Sequence, residues 1–82
     1  MMQITIYTTK GCPDCYGLKQ WLNYKNIPYT EIDIEKPGIT DYLKNKYGVR
    51  VAPITVIEDK FFYGTFEVQK PQIEAVLQKE AL

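Results

Sequence analysis

The amino-terminal part of the chain constrains the fold most, because its hydrophobic pattern changes period twice. Residues 3–8 alternate apolar and polar side chains, which predicts a β-strand. Residues 13–25 instead place Cys15 and Leu18 on one side of a helix that starts at a proline. Residues 29–34 alternate again and predict a second strand. A strand, a helix and a strand in succession require a parallel pair joined by a right-handed crossover.

The rest of the chain predicts a second helix, a hairpin and a third helix. Residues 39–47 carry apolar side chains at every fourth position, and the helix they predict closes at Gly48. Two apolar runs, 54–57 and 60–63, are separated by two acidic residues and predict a β-hairpin. A final helical pattern follows, with Pro71 near its start.

The predicted order is therefore β-α-β-α-β-β-α. This order is typical of an α/β protein with a four-stranded mixed sheet flanked by three helices. With 82 residues, 45% of them apolar, the chain fits a single domain that spans residues 1–82. Sites in such open sheets form at the carboxyl ends of the parallel strands, so we expect one between the first strand and the first helix.

Composition excludes several classes of function. Ten basic and ten acidic side chains give a formal net charge of zero, so no broad positive field attracts nucleic acid or an anionic membrane. Apolar runs are far shorter than the roughly 20 residues of a membrane-spanning helix. The start of the chain lacks the pattern of a secretory signal, so we expect a cytoplasmic protein. We also expect a monomer. The absence of histidine excludes His-dependent triads and zinc sites of the common Cys/His type.

The chemistry therefore concentrates on Cys12 and Cys15, the two cysteines of the chain. A bond between them closes a very short loop, so it would contribute little to stability. A thiol-disulfide exchanger needs one accessible, partly ionised thiol that attacks a disulfide and a second thiol that resolves the mixed disulfide. Cys12 lies where free N–H groups and the helix dipole favour a thiolate, which predicts that it is the nucleophile. Cys15, one turn further and more buried, is the predicted resolving thiol.

Two nearby charges and one proline bear on this site. Lys10 can favour the Cys12 thiolate, whereas Asp14 opposes it if its carboxylate comes close. Pro53 precedes a predicted strand, and its position alone favours a trans peptide bond at a strand edge. A metal-binding alternative stays open, although two thiolates supply only half of a zinc site and a closed site would require a dimer. An incidental cysteine pair is the remaining alternative.

The same residues, together with several others, resemble the glutaredoxin family. The matching positions are segment 10–15, Lys19, segments 31–34 and 47–50, Ala52 with Pro53, and Gly64. The resemblance spans nearly the whole chain. It extends to the glutaredoxin-like redoxins that donate electrons to ribonucleotide reductase and are recharged by thioredoxin reductase. It implies a thioredoxin-like fold in which Pro53 is cis and faces the two cysteines.

The resemblance also implies an activity, namely a dithiol oxidoreductase that reduces protein disulfides or glutathione mixed disulfides and maintains redox homeostasis. Such a protein holds no bound cofactor and uses glutathione as a possible co-substrate. The Ala52 backbone would pair with an extended substrate by strand addition, and Lys10 would contact its carboxylate. The implied substrate-contacting residues are Lys10, Pro13, Asp14, Val51, Ala52, Pro53, Gly64, Thr65 and Glu67.

The chain departs from typical glutaredoxins at Asp14, at 51–52 and at 63–67. In that family the last of these segments holds the amino-acid end of glutathione. The electron source, glutathione or thioredoxin reductase, therefore stays open, as does donation of electrons to ribonucleotide reductase. A dimer that shares a metal ion or an iron-sulfur cluster through Cys12 is the alternative function.

Overall fold

The computed structural model describes the backbone of residues 3–81 and the side chains of residues 3–79. Its elements follow the predicted β-α-β-α-β-β-α order: β1 (Ile4–Thr8), α1 (Pro13–Tyr24), β2 (Thr30–Asp33), α2 (Ile39–Tyr47), β3 (Ile54–Ile57), β4 (Lys60–Tyr63) and α3 (Phe66–Ala81). The α/β class with four strands and three helices is confirmed. Within residues 3–81, no helix combines the length and the apolar character needed to cross a membrane.

The strands form one mixed sheet in the order β2-β1-β3-β4. β1 runs parallel to β2, with Thr8 opposite Asp33 at their carboxyl ends. β3 is antiparallel to both β1 and β4, and Tyr7 lies opposite Ile54. The carboxyl ends of β1 and β2 and the amino end of β3 therefore meet at the same edge of the sheet, where a site is expected.

The alternation in β1 divides the core between the two faces of the sheet. Ile4 and Ile6 point to the face covered by α1 and α3, and the buried residues that they join there are Leu18, Trp21, Leu22, Ile57 and Ile73. Tyr7 points to the opposite face, where it joins Leu43 of α2 and Ile54. The segment that leaves β1 is thus fixed from both sides, because side chains of β1, like those of β3, contribute to both clusters.

The structure differs from the sequence-based expectation at the start of α3. We expected Pro71 near the first turn, but the helix begins at Phe66 and Pro71 lies inside it. The reason is a strong start signal upstream, since the Thr65 hydroxyl accepts a hydrogen bond of 3.2 Å from the Val68 N–H. Pro71 has no N–H, so it removes one hydrogen bond from the helix, and it lies on the exposed side.

Candidate active site

The two cysteines lie where β1 hands over to α1. Gly11 adopts a φ of +68°, a conformation that favours glycine and lets the chain turn sharply after the strand. Cys12 is the amino-terminal cap of α1, and Pro13 takes the first helical position, where a missing N–H costs nothing. The Cys12 Sγ accepts a hydrogen bond of 3.0 Å from the Cys15 N–H. The helix start is therefore built around the Cys12 sulfur.

Cys12 and Cys15 form a disulfide, with their Cα atoms 5.2 Å apart. The two residues differ in exposure, because Cys15 is only 2% exposed whereas Cys12 is half-buried. An attacking thiol must be reached by substrate, and a resolving thiol needs only to reach the first sulfur. This arrangement supports the assignment of Cys12 as the nucleophile and Cys15 as the resolving thiol.

An open cleft of about 490 Å³ lies beside the disulfide. Its walls include both cysteines and the side chains of Lys10, Tyr16 and Lys19. Lys10 is exposed, and Tyr16 is 63% exposed. A small molecule in this cleft would therefore meet the Cys12 sulfur, a cationic group and an aromatic ring together.

The second lysine of the cleft is held by an acidic partner. Lys19 Nζ lies 2.9 Å from Glu31 Oε2, and the buried Thr8 hydroxyl donates a hydrogen bond of 2.8 Å to the same oxygen. The hydrogen bond to Glu31 raises the pKa of Lys19. The hydrogen bonds from Lys19 and then from Thr8 lower the pKa of Glu31. The sequence analysis did not predict the contacts of Glu31 with Lys19 and Thr8. The predicted parallel pairing of β1 with β2 was a signal for them, because it brings Glu31 close to Thr8.

The loop before β3 brings Pro53 to the same edge. The Ala52–Pro53 peptide bond is cis, as the resemblance implies and contrary to the trans bond that its position alone favours. Pro53 is buried, Ala52 is half-buried and Val51 is 47% exposed. Because Ile54 lies opposite Tyr7, this loop runs beside the end of β1 from which the cysteine segment departs.

A buried amide fixes this loop from behind. The Gln69 Nε2 donates to the carbonyl oxygens of Pro53 at 2.8 Å and Gly64 at 2.9 Å. Its Oε1 accepts a hydrogen bond of 2.7 Å from the Thr55 hydroxyl. Gln69 is fully buried and connects α3, β3 and the proline loop. Nothing in the sequence distinguished this glutamine from a surface residue of the last helix.

The remaining predicted residues meet at the start of α3. Gly64 follows β4 with a φ of +114°, and Thr65 caps the helix. Glu67 lies exposed in the first turn. Asp14 reaches this segment from α1, since its Oδ1 accepts a hydrogen bond of 3.1 Å from the Phe66 N–H. The structure thus joins Asp14 to the 64–67 segment, while Lys10 and Pro13 line the cleft beside Cys12.

A metal-binding role finds few ligands here. Among the side chains of residues 3–79, no three or more His, Cys, Asp or Glu cluster closely enough to hold a metal ion. A cluster held through Cys12 would need further ligands from another chain.

Comparisons with known proteins bear on the site as a whole. The glutaredoxin family model matches residues 4–62, from the start of β1 into β4. The chain belongs to the glutaredoxin family. It is similar to the N-acetyl-S-hydroxy-L-cysteine reductase of Bacillus subtilis (strain 168), with 32% identity over 99% of this chain and 89% of that protein. It is also similar to the glutaredoxin-like protein NrdH of Lactococcus lactis subsp. cremoris, with 32% identity over 74% of this chain and 85% of that protein.

Solved structures agree with this family and with the thioredoxin-like fold. The thioredoxin-like protein BC3987 superposes with a TM-score of 0.72 and 31% identity, covering 85% of this chain and 96% of its own. Glutaredoxin 1 from Francisella tularensis gives a TM-score of 0.70 and 26% identity, covering 95% of this chain and 99% of its own. The fold expected from the resemblance is therefore confirmed, and the Cys12–Cys15 pair is the redox centre of a glutaredoxin-like oxidoreductase.

Proposed function

We propose that the protein reduces protein disulfides or glutathione mixed disulfides with the Cys12–Cys15 dithiol. The observation that carries the proposal is the disulfide at the start of α1, with the Cys12 sulfur on an open cleft and Cys15 buried behind it. The half-buried sulfur at a helix amino terminus is the position in which a thiolate is favoured. The buried Cys15 sulfur next to it is the thiol that resolves the mixed disulfide.

The reaction takes place in two exchanges. The Cys12 thiolate attacks one sulfur of the substrate disulfide, and the other sulfur leaves as a thiolate that takes up a proton. Cys15 then loses its proton and attacks the Cys12 sulfur, which releases the second substrate thiol and forms the Cys12–Cys15 disulfide. The substrate gains two electrons and two protons, and the dithiol loses both.

Substrate contacts follow from the geometry of the edge. An extended substrate can add to the backbone at Val51 and Ala52, because this loop runs beside the cysteine segment and its main chain precedes a strand. Lys10 lies exposed on the cleft and suits a substrate carboxylate. The substrate class is thus a peptide disulfide or the mixed disulfide of a small thiol that carries a carboxylate.

The reductant is glutathione or thioredoxin reductase, and the setting is the cytoplasm, where the protein acts as a monomer. Similarity to a glutaredoxin-like protein NrdH supports the thioredoxin reductase branch and, with it, donation of electrons to ribonucleotide reductase. The decisive experiment oxidises the protein and measures which system restores two free thiols. One arm contains NADPH, glutathione and glutathione reductase, and the other contains NADPH and thioredoxin reductase. Failure of both arms would contradict the proposed function.

A second candidate is reduction of the sulfenic acid of a small N-acylated cysteine. Similarity over 99% of this chain to an N-acetyl-S-hydroxy-L-cysteine reductase favours it, and the cleft offers Lys10 for the single carboxylate of such a substrate. The Cys12 thiolate would attack the sulfenic sulfur and release hydroxide, which takes up a proton to become water. Cys15 would then release the substrate thiol and form the Cys12–Cys15 disulfide.

This candidate has its own test. N-acetylcysteine is oxidised with hydrogen peroxide in the presence of reduced protein, and the products are separated by mass spectrometry. Sulfenate reduction predicts recovered N-acetylcysteine and one protein disulfide per molecule recovered. Accumulation of the N-acetylcysteine disulfide with the protein still reduced would contradict it.

A further inference from the structure

The first turn of α3 is closed by groups of the chain itself. The Phe66 N–H donates to Asp14 Oδ1 at 3.1 Å, and the Val68 N–H donates to the Thr65 hydroxyl at 3.2 Å. Thr65 is the local cap, as in many helices. Asp14 is different, because it comes from α1, 52 residues earlier in the chain. It also lies between the two cysteines of the redox centre.

A helix amino terminus attracts anions, because its N–H groups and its dipole both favour negative charge. Asp14 lies between Cys12 and Cys15 in the chain, and its side chain reaches the first N–H group of α3. The amino terminus of α3 is therefore connected to the segment of the two cysteines by one hydrogen bond. A substrate carboxylate joined to the sulfur on Cys12 would be drawn to the same N–H groups. The Asp14 carboxylate already occupies that position.

Packing between α1 and α3 holds this contact in place. Gly17, one turn after Asp14, lies against the Phe66 ring, and a Cβ added there would come within 3.3 Å of that ring. The Phe66 ring also meets Trp21 edge to face, with the ring centres 6.1 Å apart. Asp14, Gly17 and Trp21 therefore form one side of α1 that contacts Phe66 three times. The carboxylate is fixed by this interface and does not hang free in solvent.

We propose that Asp14 determines substrate specificity by occupying the amino terminus of α3 in place of a substrate carboxylate. The inference rests on the proposed function, because it concerns the substrates of the Cys12–Cys15 dithiol. An acidic ligand that extends towards α3 meets the Asp14 carboxylate and is repelled. A ligand with one carboxylate can still use Lys10, which lines the cleft beside Cys12. The site therefore selects neutral or singly acidic partners over glutathione, which has two carboxylates.

The first experiment compares two mixed disulfides on one cysteine peptide with blocked ends, one with glutathione and one with 2-mercaptoethanol. The values of kcat/KM are measured for the unmodified protein and for Asp14→Ala, which frees the Phe66 N–H. We expect the glutathione-to-mercaptoethanol ratio to rise about five-fold in Asp14→Ala. Asp14→Asn keeps an oxygen acceptor without the charge, so its ratio should rise less. Asp41→Asn removes a charge from the first turn of α2 and should leave the ratio unchanged.

The second experiment does not depend on catalysis. S-methylglutathione, which cannot exchange disulfides, is titrated into the oxidised protein while the Phe66 amide is followed by NMR. We expect this amide to shift with saturation in Asp14→Ala and not in the unmodified protein.

An unchanged ratio in Asp14→Ala, or an equal Phe66 response in the two proteins, would overturn the role of Asp14. Loss of activity on the mercaptoethanol substrate in the unmodified protein would instead contradict the proposed function. The two failures are therefore distinguishable. If Asp14→Ala does not fold, Asp14→Gly carries the NMR comparison, because it also removes the acceptor of the Phe66 N–H. A Phe66 response equal to that of the unmodified protein would there equally overturn the proposal.

Discussion

Two helices begin near the redox centre, and they satisfy their first N–H groups in opposite ways. At the start of α1 the Cys12 sulfur accepts the Cys15 N–H at 3.0 Å. At the start of α3 the acceptors are the Asp14 carboxylate and the Thr65 hydroxyl. Sulfur is a weak acceptor as a thiol and a charged one as a thiolate, whereas the oxygens at α3 do not take part in exchange.

This difference between the acceptors means that the start of α1 carries the reactive group, whereas the start of α3 stabilises the structure around it. In the proposed exchange, the acceptor at α1 changes its charge and its bonding partner in every cycle, so that helix start must tolerate the change. The start of α3 instead stabilises the loops around the site. Gln69, in its first turn, makes hydrogen bonds with Pro53, Gly64 and Thr55. Substitutions at α1 should therefore act on turnover, and substitutions at α3 should act first on stability.

The largest effect is expected at the start of α1. Cys12→Ser removes the attacking thiol of the pair, so disulfide reduction should fall to the rate without protein. Serine is a good amino-terminal cap, so the free energy of unfolding of the reduced protein should change by less than about 1 kcal/mol. Turnover assays and urea denaturation of the reduced proteins measure both quantities.

Cys15→Ser is the matched variant for this test. It keeps the attacking thiol but lacks the resolving one, so a mixed disulfide between substrate and Cys12 should accumulate and be visible by mass spectrometry. Equal activity of the two serine variants would contradict the assignment of roles to Cys12 and Cys15.

The next largest effect is expected at Gln69. Gln69→Leu leaves the carbonyl oxygens of Pro53 and Gly64 and the Thr55 hydroxyl without their buried partner, which should lower the free energy of unfolding by about 3 kcal/mol. Gln72→Leu makes the same change at an exposed position of the same helix and should be nearly neutral. Chemical denaturation of both variants gives the comparison. Equal losses would mean that the cost comes from leucine in this helix and not from the buried amide.

These effects mark the limit of what the sequence could predict. The period of the apolar residues located β1, α1 and the hairpin nearly to the residue, because burial of one face imposes that period. The position of Cys12 just before α1 also followed from the sequence, since Pro13 indicates a helix start. Local pattern and turn chemistry were sufficient for these features.

Contacts between distant segments could not be predicted in this way. Asp14 forms a hydrogen bond with Phe66, and Gln69 forms three hydrogen bonds. The residues that they join are not spaced at the repeat of a helix or a strand, so no hydrophobic pattern in the sequence indicates these contacts. The start of α3 was displaced for the same reason, because Pro71 indicated a helix start while Thr65 and Asp14 supplied the actual caps. The cis state of the bond before Pro53 followed from family resemblance and not from local preference.

A smaller effect on stability is expected from Asp14. Asp14→Ala removes an acceptor from the first turn of α3, which should lower the free energy of unfolding by about 1 kcal/mol. Asp41→Ala, in the exposed first turn of α2, is the matched control and should cost less. Thermal and urea unfolding of the oxidised proteins measure the difference. A loss at Asp41 as large as that at Asp14 would mean that α3 is not held by this contact.

The smallest effect is expected at Glu31, which contacts neither helix start. Its hydrogen bonds to Lys19 and Thr8 lower its pKa from the usual 4.5 and raise the pKa of Lys19 from 10.5. Because the pKa of Glu31 is lowered in the folded state, its charge stabilises the fold above about pH 4.5. This stabilisation is lost as the pH falls through the pKa of Glu31 in the folded protein. Because the pKa of Lys19 is raised in the folded state, its charge stabilises the fold below about pH 10.5. This stabilisation is lost as the pH rises through the pKa of Lys19 in the folded protein.

The free energy of unfolding of Glu31→Gln should therefore differ from that of the unmodified protein mainly between these limits. We expect a difference of about 0.5 kcal/mol, because the Lys19 and Glu31 side chains are 31% and 40% exposed. Urea denaturation from pH 3 to pH 8 follows the acid limb, and Glu58→Gln in the exposed hairpin turn is the control. A difference that persists unchanged at pH 3 would show that the carboxylate charge is not its cause. Since Lys19 lines the cleft, a simultaneous fall in turnover would mean that the Lys19–Glu31 pair also helps to shape the site, and the separation between reactive and supporting regions would then be less sharp than the two helix starts indicate.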